Sequence, residues 1–314
     1  MKSVHLVFPG QGAQAVGMGK ELAEGVPACR EVFARANEVL GFDLAKLCFE
    51  GPIEELTRSC NTQPAIFAVS VAAETALKEL AKEAGYEFSV AGAAGLSSGE
   101  WAALHAAGVV SFEDTLRILR ARGTFMQEAC EATPGGMLTI IGLAPEKCEE
   151  IAKESGLEVA NYNSPLQTVL SGHAERLADG EAAAKAAGAK RALRLTVAGA
   201  FHSSLMRPAA EKLASFLEGV ELRAPAIPVW SNVTGRAHGA DVAEIRRLMV
   251  EQVATSVRWA ADFTDMAGTG GMGQAFECGP GTVLAGLARR MSPTAPVASI
   301  FDLASAQEAV KILA

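Results

Sequence analysis

The sequence lacks an excess of positive charge and any long apolar run. It has 28 lysines and arginines against 36 aspartates and glutamates, a formal net charge of -8. This balance argues against binding to nucleic acid or to an anionic membrane, because both surfaces are negatively charged. No apolar run approaches the roughly 18 residues that a membrane-spanning helix needs. The segment from Met1 to His5 also lacks a secretory signal pattern, so we expect a cytoplasmic protein.

Paired cysteines are missing as well. No two cysteines have CxxC spacing, and the five histidines are equally dispersed along the chain. The sequence therefore indicates no zinc site, and we expect no bound metal. We expect the thiols to be reduced and to fill small apolar spaces in the core. The six cysteines are Cys29, Cys48, Cys60, Cys130, Cys148 and Cys278.

Apolar residues are abundant, and their pattern predicts the fold class. They make up 49% of the 314 residues, which is enough for a sizeable core. Strand-like segments such as 4–8, 88–95, 229–233 and 274–277 alternate with helical patterns. This alternation predicts an α/β protein with a mainly parallel sheet and helices on both faces.

The middle of the chain has a different order of predicted strands and helices. Its predicted elements follow the order β-α-β-β-α-β, which is typical of a ferredoxin-like domain. We therefore predict a small domain at residues 130–197, inserted into a larger domain formed by residues 1–129 and 198–314.

A serine between two glycines is the first candidate for chemistry. The pattern Gly95-x-Ser97-x-Gly99 follows an apolar strand and precedes a helical segment. This is the setting of a nucleophile elbow, where small neighbours permit a strained turn and the helix N-terminus stabilises negative charge. The pattern alone arises by chance in about one such chain in ten, and a plain glycine turn is the alternative. Ser98 is a competing nucleophile, but the spacing places Ser97 at the apex.

A nucleophilic serine needs a general base, and histidine is the usual one. His202 lies in a loop between a predicted strand and a predicted helix, where catalytic side chains are common. His105, on the helix after the elbow, is the second candidate, and the other histidines fit structural or surface roles. No acidic residue is an obvious third member, so a backbone carbonyl is a candidate to orient the imidazole.

Further segments in the same order extend along nearly the whole chain. With them, the sequence resembles the malonyl-CoA:acyl carrier protein transacylase family and the acyltransferase domains of polyketide and fatty-acid synthases. The resemblance implies an α/β-hydrolase-like large domain with a ferredoxin-like insert. The segments that carry it are 8–14, 62–65, 95–99, 122–127, 161–165, 200–206, 231–234, 252, 257–259 and 277–281.

The resemblance also implies roles for matching residues. Ser97 would be the acylated nucleophile, and His202 its general base and later the general acid. The main-chain carbonyl of Gln252 would orient His202. The backbone amides of Gln11 and Ser98 would form the oxyanion hole.

Arg122 would hold the free carboxylate of the malonyl group. Malonyl differs from acetyl only by this carboxylate, and a guanidinium can pair with it bidentately while partly buried. Without the resemblance, Arg122 has the pattern of an ordinary surface arginine on an amphipathic helix. Arg117 and Arg120, on the same helix, keep that interpretation.

Two positions of the elbow depart from the family's usual Gly-His-Ser-Leu-Gly. Leu96 stands in place of the histidine, and Ser98 in place of the leucine. Ser98 would put a hydroxyl near the acyl group, whereas Phe201 resembles malonyl-selective members because it crowds the space of an α-methyl group. Malonyl is the expected acyl group, and methylmalonyl is the alternative.

The implied reaction is ping-pong transfer from malonyl-CoA to the phosphopantetheine thiol of an acyl carrier protein, supplying fatty-acid synthesis. It needs no cofactor, and the resemblance implies a monomer. Carrier proteins of this type are acidic, so Arg191, Arg194 and Arg207 are candidates for docking or ordinary solvated charges. A serine hydrolase with the same residues and a non-catalytic binding module remain the alternatives.

Overall fold

The computed structural model describes residues 2–268, 272–291 and 294–314. Within these ranges, no helix is long and apolar enough to cross a membrane. All six cysteines are buried free thiols, as expected from their spacing. The strands are β1 (Lys2–Phe8), β2 (Phe88–Gly95), β3 (Gly135–Ile141), β4 (Glu158–Ser164), β5 (Gln167–His173), β6 (Arg191–Arg194), β7 (Trp230–Ser231), β8 (Arg236–Ala237), β9 (Gln274–Cys278) and β10 (Val297–Ile300).

A parallel sheet of four strands forms the centre of the larger region. Its strand order is β10-β9-β1-β2, and every neighbouring pair is parallel. β1 is buried from Val4 to Phe8, as expected for a strand covered on both faces. The predicted α/β class with a parallel sheet is therefore confirmed.

The strand predicted at 229–233 differs from the observed structure. Only Trp230–Ser231 is extended, and it pairs with the short β8 in an antiparallel ladder. Val229 makes a single parallel bridge to Ala93 of β2. The chain turns after Ser231, whose carbonyl accepts from the Gly235 amide at 2.8 Å, and Asn232 bonds to Glu100 and to the last residue of β2.

Helices connect the strands and cover both the parallel sheet and the second, antiparallel sheet described below. The longest, α5, is buried over most of its length, which agrees with its small number of charged residues. The helices are α1 (Lys20–Gly25), α2 (Pro27–Leu40), α3 (Leu44–Glu50), α4 (Ile53–Thr57), α5 (Ser59–Glu83), α6 (Gly99–Ala106), α7 (Phe112–Ala132), α8 (Pro145–Ser155), α9 (Leu177–Ala186), α10 (Arg207–Leu217), α11 (Val242–Glu251), α12 (Trp259–Gly268), α13 (Val283–Met291) and α14 (Leu303–Leu313).

A second sheet is built from the middle of the chain. Its strand order is β4-β5-β3-β6, and all its pairs are antiparallel. Helices α8 and α9 alternate with these strands in the order β3-α8-β4-β5-α9-β6. Leu138, Ile140 and Leu170 of this sheet pack with the two helices in a hydrophobic cluster separate from the main core. The element order therefore agrees with the sequence pattern of residues 130–197.

Candidate active site

Ser97 lies in a sharp turn between β2, which ends at Gly95, and α6, which begins at Gly99. Its φ is 55°, in the left-handed region that side chains other than glycine seldom adopt. A Cβ on Gly95 would overlap the backbone of Gly99, and one on Gly99 would overlap the carbonyl of Phe8. The two glycines are therefore required by packing, and the turn has the form expected of a nucleophile elbow.

His202 lies beside Ser97 although 105 positions separate them. Its Nε2 is 2.7 Å from the Ser97 Oγ, and its Nδ1 is 2.9 Å from the main-chain carbonyl oxygen of Gln252. A carbonyl oxygen can only accept, so Nδ1 carries the proton and Nε2 accepts from the Ser97 hydroxyl. His202 also has a positive φ, 57°, so both members of the pair have strained backbones.

The imidazole of His202 is buried and remains neutral at pH 7. Burial and the positive charge of Arg122 lower its pKa from 6.5 to about 4. The neutral ring can accept the serine proton, which a general base must do.

Two of the other histidines, His105 and His5, lie away from the elbow. His105 bonds through Nδ1 to the carbonyl of Val110 at 3.0 Å and packs edge-on against Phe67. His5 packs against the ring of Trp230. The alternative base, His105, is therefore not brought to the elbow.

Arg122 is buried next to the serine, with 1% of its surface exposed. Its Nη1 donates to Gln63 Oε1 at 2.7 Å, and its Nη2 donates to Gln252 Oε1 at 3.0 Å and to Ser97 Oγ at 3.3 Å. Its Nε has no partner among the described residues. Burial lowers its pKa to about 10, so the guanidinium remains positive at pH 7.

The two other arginines of α7 face away from this site. Arg117 pairs with Asp114 at 3.0 Å, and the Arg117 side chain is exposed. Arg120 donates to the carbonyl of Cys60 at 2.9 Å. Both are ordinary structural or surface arginines, as their positions on an amphipathic helix predict.

Two backbone amides border the serine without an acceptor of their own. The loop after β1 approaches the elbow so closely that a Cβ on Gly10 would overlap the Leu96 carbonyl. Within residues 2–268, 272–291 and 294–314, neither the Gln11 nor the Ser98 amide donates a hydrogen bond. The Gln11 side chain is held separately, through a 3.1 Å bond to Ser59 Oγ. Free amides at this position can stabilise an oxyanion.

Ser97 opens into a cavity of about 360 Å³ between the two sheets. Phe201 is buried and contributes to its wall. The catalytic groups lie on one side, and the antiparallel sheet with its exit loop supplies both apolar and polar side chains on the other. The lining residues are Pro9, Gly10, Gln11, Gly12, Ala13, Leu96, Ser97, Arg122, Met126, Met137, Asn161, Asn163, Val169, Leu195, Thr196, Val197, Phe201, His202 and Val283.

Behind the elbow lies a polar network that no sequence pattern predicts. Asn232 Oδ1 accepts from the Ser97 amide at 2.7 Å, while its Nδ2 donates to the Gly95 carbonyl and to Asp262 Oδ2, each at 2.8 Å. Burial and the nearby negative charge of Glu100 raise the pKa of Asp262 well above its usual range. The network fixes the strained backbone of Ser97 from behind.

These groups suit acyl transfer through the serine. The Ser97 hydroxyl has a neutral imidazole as acceptor, and two free backbone amides lie next to it. The buried Arg122 guanidinium lines the same cavity. Among the described residues, no group of three or more histidine, cysteine, aspartate or glutamate side chains could hold a metal ion.

A family model described as the acyl transferase domain matches residues 5–284. This chain belongs to that family. A malonyl CoA-acyl carrier protein transacylase of Salmonella typhimurium is 41% identical over 314 residues, covering 99% of each protein. The resemblance inferred from the sequence motifs is therefore confirmed, and with it an enzyme of the acyltransferase class.

Solved structures of transacylases are similar over the whole chain. The malonyl CoA-acyl carrier protein transacylase of Coxiella burnetii has a TM-score of 0.92 at 35% identity, covering 99% of this chain and 98% of that one. A malonyl-transacylase solved in complex with its type II PKS acyl-carrier protein has a TM-score of 0.90 at 40% identity, covering 99% of this chain and 100% of that one.

The two departures from the usual acyltransferase elbow have different positions. Leu96 lines the cavity, where it replaces a polar group with an apolar one. Ser98 is buried, and its hydroxyl has no partner within the described part of the chain. Ser98 does not line the cavity, so its hydroxyl is not placed against the acyl group. Asn232 lies in the 231–234 segment that contributes to the family resemblance, but no local pattern indicated that its side chain bonds to the Ser97 amide.

Proposed function

We propose that the protein transfers a malonyl group from malonyl-CoA to the phosphopantetheine thiol of an acyl carrier protein. The observation that carries this proposal is the buried Arg122, whose Nη2 is 3.3 Å from the nucleophilic oxygen of Ser97. A permanent cation at this distance suits an acyl group with a free carboxylate. The full-length similarity to malonyl transacylases supports the same substrate.

In the first half-reaction, the Ser97 oxygen attacks the thioester carbonyl while His202 Nε2 takes the hydroxyl proton. The amides of Gln11 and Ser98 stabilise the oxyanion. The tetrahedral intermediate collapses, the carbon–sulfur bond breaks, and the imidazolium returns its proton to the leaving CoA thiolate. The products are CoA and malonyl-Ser97, with His202 neutral again.

In the second half-reaction, the carrier-protein thiol gives its proton to His202 and its sulfur attacks the acyl-serine. Collapse of the second intermediate breaks the carbon–oxygen bond and returns the proton to Ser97. The Gln252 carbonyl holds the Nδ1–H throughout, which keeps Nε2 directed at the reacting atoms. The cycle leaves the enzyme unchanged and the malonyl group on the carrier, where it can supply fatty-acid synthesis.

Acyl selectivity follows from the two walls of the cavity. An acetyl group would leave Arg122 without a carboxylate, which costs roughly 2–5 kcal/mol relative to malonyl. Phe201 crowds the cavity near His202 and disfavours an α-methyl branch.

We assign the parallel sheet to an α/β-hydrolase-like domain of residues 1–129 and 198–314. The elbow at the end of a parallel strand supports this assignment. We assign residues 130–197 to a ferredoxin-like domain, which the observed β-α-β-β-α-β order supports. Helix α7 extends to Ala132, so the first boundary falls within its last turn.

We also propose that the protein is a monomer, that it is located in the cytoplasm, and that it docks an acidic carrier protein. Of the three candidate docking arginines, Arg194 pairs with Glu181 at 3.0 Å. Arg191 and Arg207 are exposed and better suited to meet an acidic partner. Charge reversal at both should raise the KM for carrier protein without changing the rate of serine acylation by malonyl-CoA.

The test is intact-protein mass after brief exposure to malonyl-CoA, acetyl-CoA or methylmalonyl-CoA, with Ser97→Ala as control. We expect a malonyl adduct that Ser97→Ala abolishes and that carrier protein removes by forming malonyl carrier protein. Release of CoA and free malonate without transfer would indicate a hydrolase instead. No adduct and no CoA release would indicate a binding module.

A further inference from the structure

Glu100 is a fully buried carboxylate in the first turn of α6, three residues after the serine. Its Oε1 accepts from His238 Nε2 at 2.8 Å. Its Oε2 accepts from Gln252 Nε2 at 2.6 Å and from the Asn232 backbone amide at 3.1 Å. Three N–H donors around two oxygens suit an ionised carboxylate.

The Gln252 side chain joins Glu100 to the site. Its Nε2 donates to Glu100 and to the Ser97 carbonyl at 3.0 Å, while its Oε1 accepts from Arg122 Nη2 at 3.0 Å. A carboxylate and a carbonyl oxygen can only accept, so Glu100 and the Ser97 carbonyl together direct the NH₂ end of the amide toward themselves. The amide oxygen must then face Arg122.

Arg122 makes no ion pair with any carboxylate in the described ranges. Its acceptors are the two neutral amide oxygens of Gln63 and Gln252, together with the serine hydroxyl. A carboxylate in direct contact would occupy the guanidinium and compete with an acidic substrate. The Gln252 amide separates Glu100 from Arg122. Glu100 therefore supplies a buried negative charge near the guanidinium, while the N–H groups of Arg122 have no carboxylate partner.

We propose that Glu100 is a positioning residue for acyl selectivity: through the Gln252 amide, it holds the Arg122 guanidinium ready for the carboxylate of the acyl group. This inference rests on the proposed function. It does not require Glu100 to touch substrate. His202 depends on the main-chain carbonyl of Gln252, so losing the orientation of the side-chain amide affects Arg122 before it affects the base.

The test is Glu100→Gln, with malonyl-CoA and acetyl-CoA loading of Ser97 measured as separate rates. The variant side chain removes the charge and replaces one acceptor oxygen with an NH₂ group, so the Gln252 amide loses the carboxylate that holds its NH₂ end. We expect malonyl loading to fall by about tenfold or more, with acetyl loading changed less than about threefold. The matched control is Glu74→Gln, which removes another buried glutamate, paired with Lys78 on α5. It should leave the malonyl-to-acetyl ratio unchanged.

A double-mutant cycle with Arg122→Ala decides whether the effect passes through the guanidinium. In the Arg122→Ala background, Glu100→Gln should slow malonyl loading no more than acetyl loading. The proposal is overturned if Glu100→Gln slows both acyl groups equally, or if its malonyl-selective effect persists without Arg122. If thermal unfolding shows that Glu100→Gln is poorly folded, Gln252→Met is the second variant. It removes the side-chain amide but keeps the main-chain carbonyl, and it must give the same selective loss of malonyl loading. A wild-type protein that loads no malonyl would contradict the proposed function itself, a distinct outcome.

Discussion

The two walls of the cavity around Ser97 are built on different principles. On one side, Arg122, His202 and Gln252 are linked by hydrogen bonds of 3.0 Å or less to fixed partners. On the other side, Met137 and Val169 of the antiparallel sheet present apolar surface. The first wall is specified by donors and acceptors, and the second by volume.

This difference predicts how each wall responds to substitution. In the polar wall, removing one partner leaves another buried group unsatisfied, which costs about 1–3 kcal/mol in addition to the lost contact. In the apolar wall, neighbours can adjust, so changes alter which acyl group fits more than whether reaction occurs.

The largest effect should come from His202→Ala. The Ser97 hydroxyl then has no base, so malonyl loading should slow by about 10²–10⁴-fold. Stopped-flow measurement of CoA release gives this rate, and His105→Ala is the matched control because its ring bonds to Val110 away from the elbow. A slowing of less than about tenfold would mean that another group takes the serine proton.

Arg122→Ala should slow loading of Ser97 nearly as much, but only with acyl groups that carry a free carboxylate. We expect malonyl loading to fall by about 30- to 4000-fold, corresponding to roughly 2–5 kcal/mol, with acetyl loading affected far less. Competition between the two thioesters, read by intact mass, measures the ratio directly. Arg117→Ala, on the same helix but paired with Asp114, serves as control. Equal loss for both acyl groups would contradict a carboxylate-binding role.

Next to His202, Phe201→Ala should change acyl selectivity rather than rate. Removing the ring opens space next to His202, so the ratio of methylmalonyl to malonyl loading should rise by roughly tenfold. A ratio measured within one sample is independent of the folded fraction, which matters because a buried Phe→Ala change destabilises by about 3–5 kcal/mol. An unchanged ratio would show that the α-carbon lies away from this ring.

The smallest expected effect concerns pH. Since burial and Arg122 lower the pKa of His202 to about 4, the neutral base is retained as pH falls, until the pH approaches that value. Between about pH 8 and pH 5 the malonyl loading rate should change less than about twofold, whereas an unperturbed histidine would lose about 30-fold. A mid-point near pH 6.5 would mean that water reaches the imidazole.

Much of the fold was open to prediction from local patterns. The strand at 88–95 has the predicted bounds, since an apolar run that ends in a glycine elbow is specified by its own residues. Helix α12, strand β10 and helix α14 were not predicted. The short strand β10 is only partly buried and lies at an edge of the sheet, so its pattern is weak. The predicted strand at 229–233 is shorter because the chain turns after Ser231, and Asn232 there bonds to distant segments.

The sequence by itself determined the serine between two required glycines, the family, and the residue types available for acid–base chemistry and carboxylate binding. These depend on local backbone geometry and on ordered motifs, both readable along one chain. Tertiary structure alone decided that His202 meets Ser97 across 105 positions, and that Gln252 joins Arg122 to Glu100. Hydrogen bonds between distant segments leave no periodic trace in the sequence, because folding alone brings the donor and acceptor together.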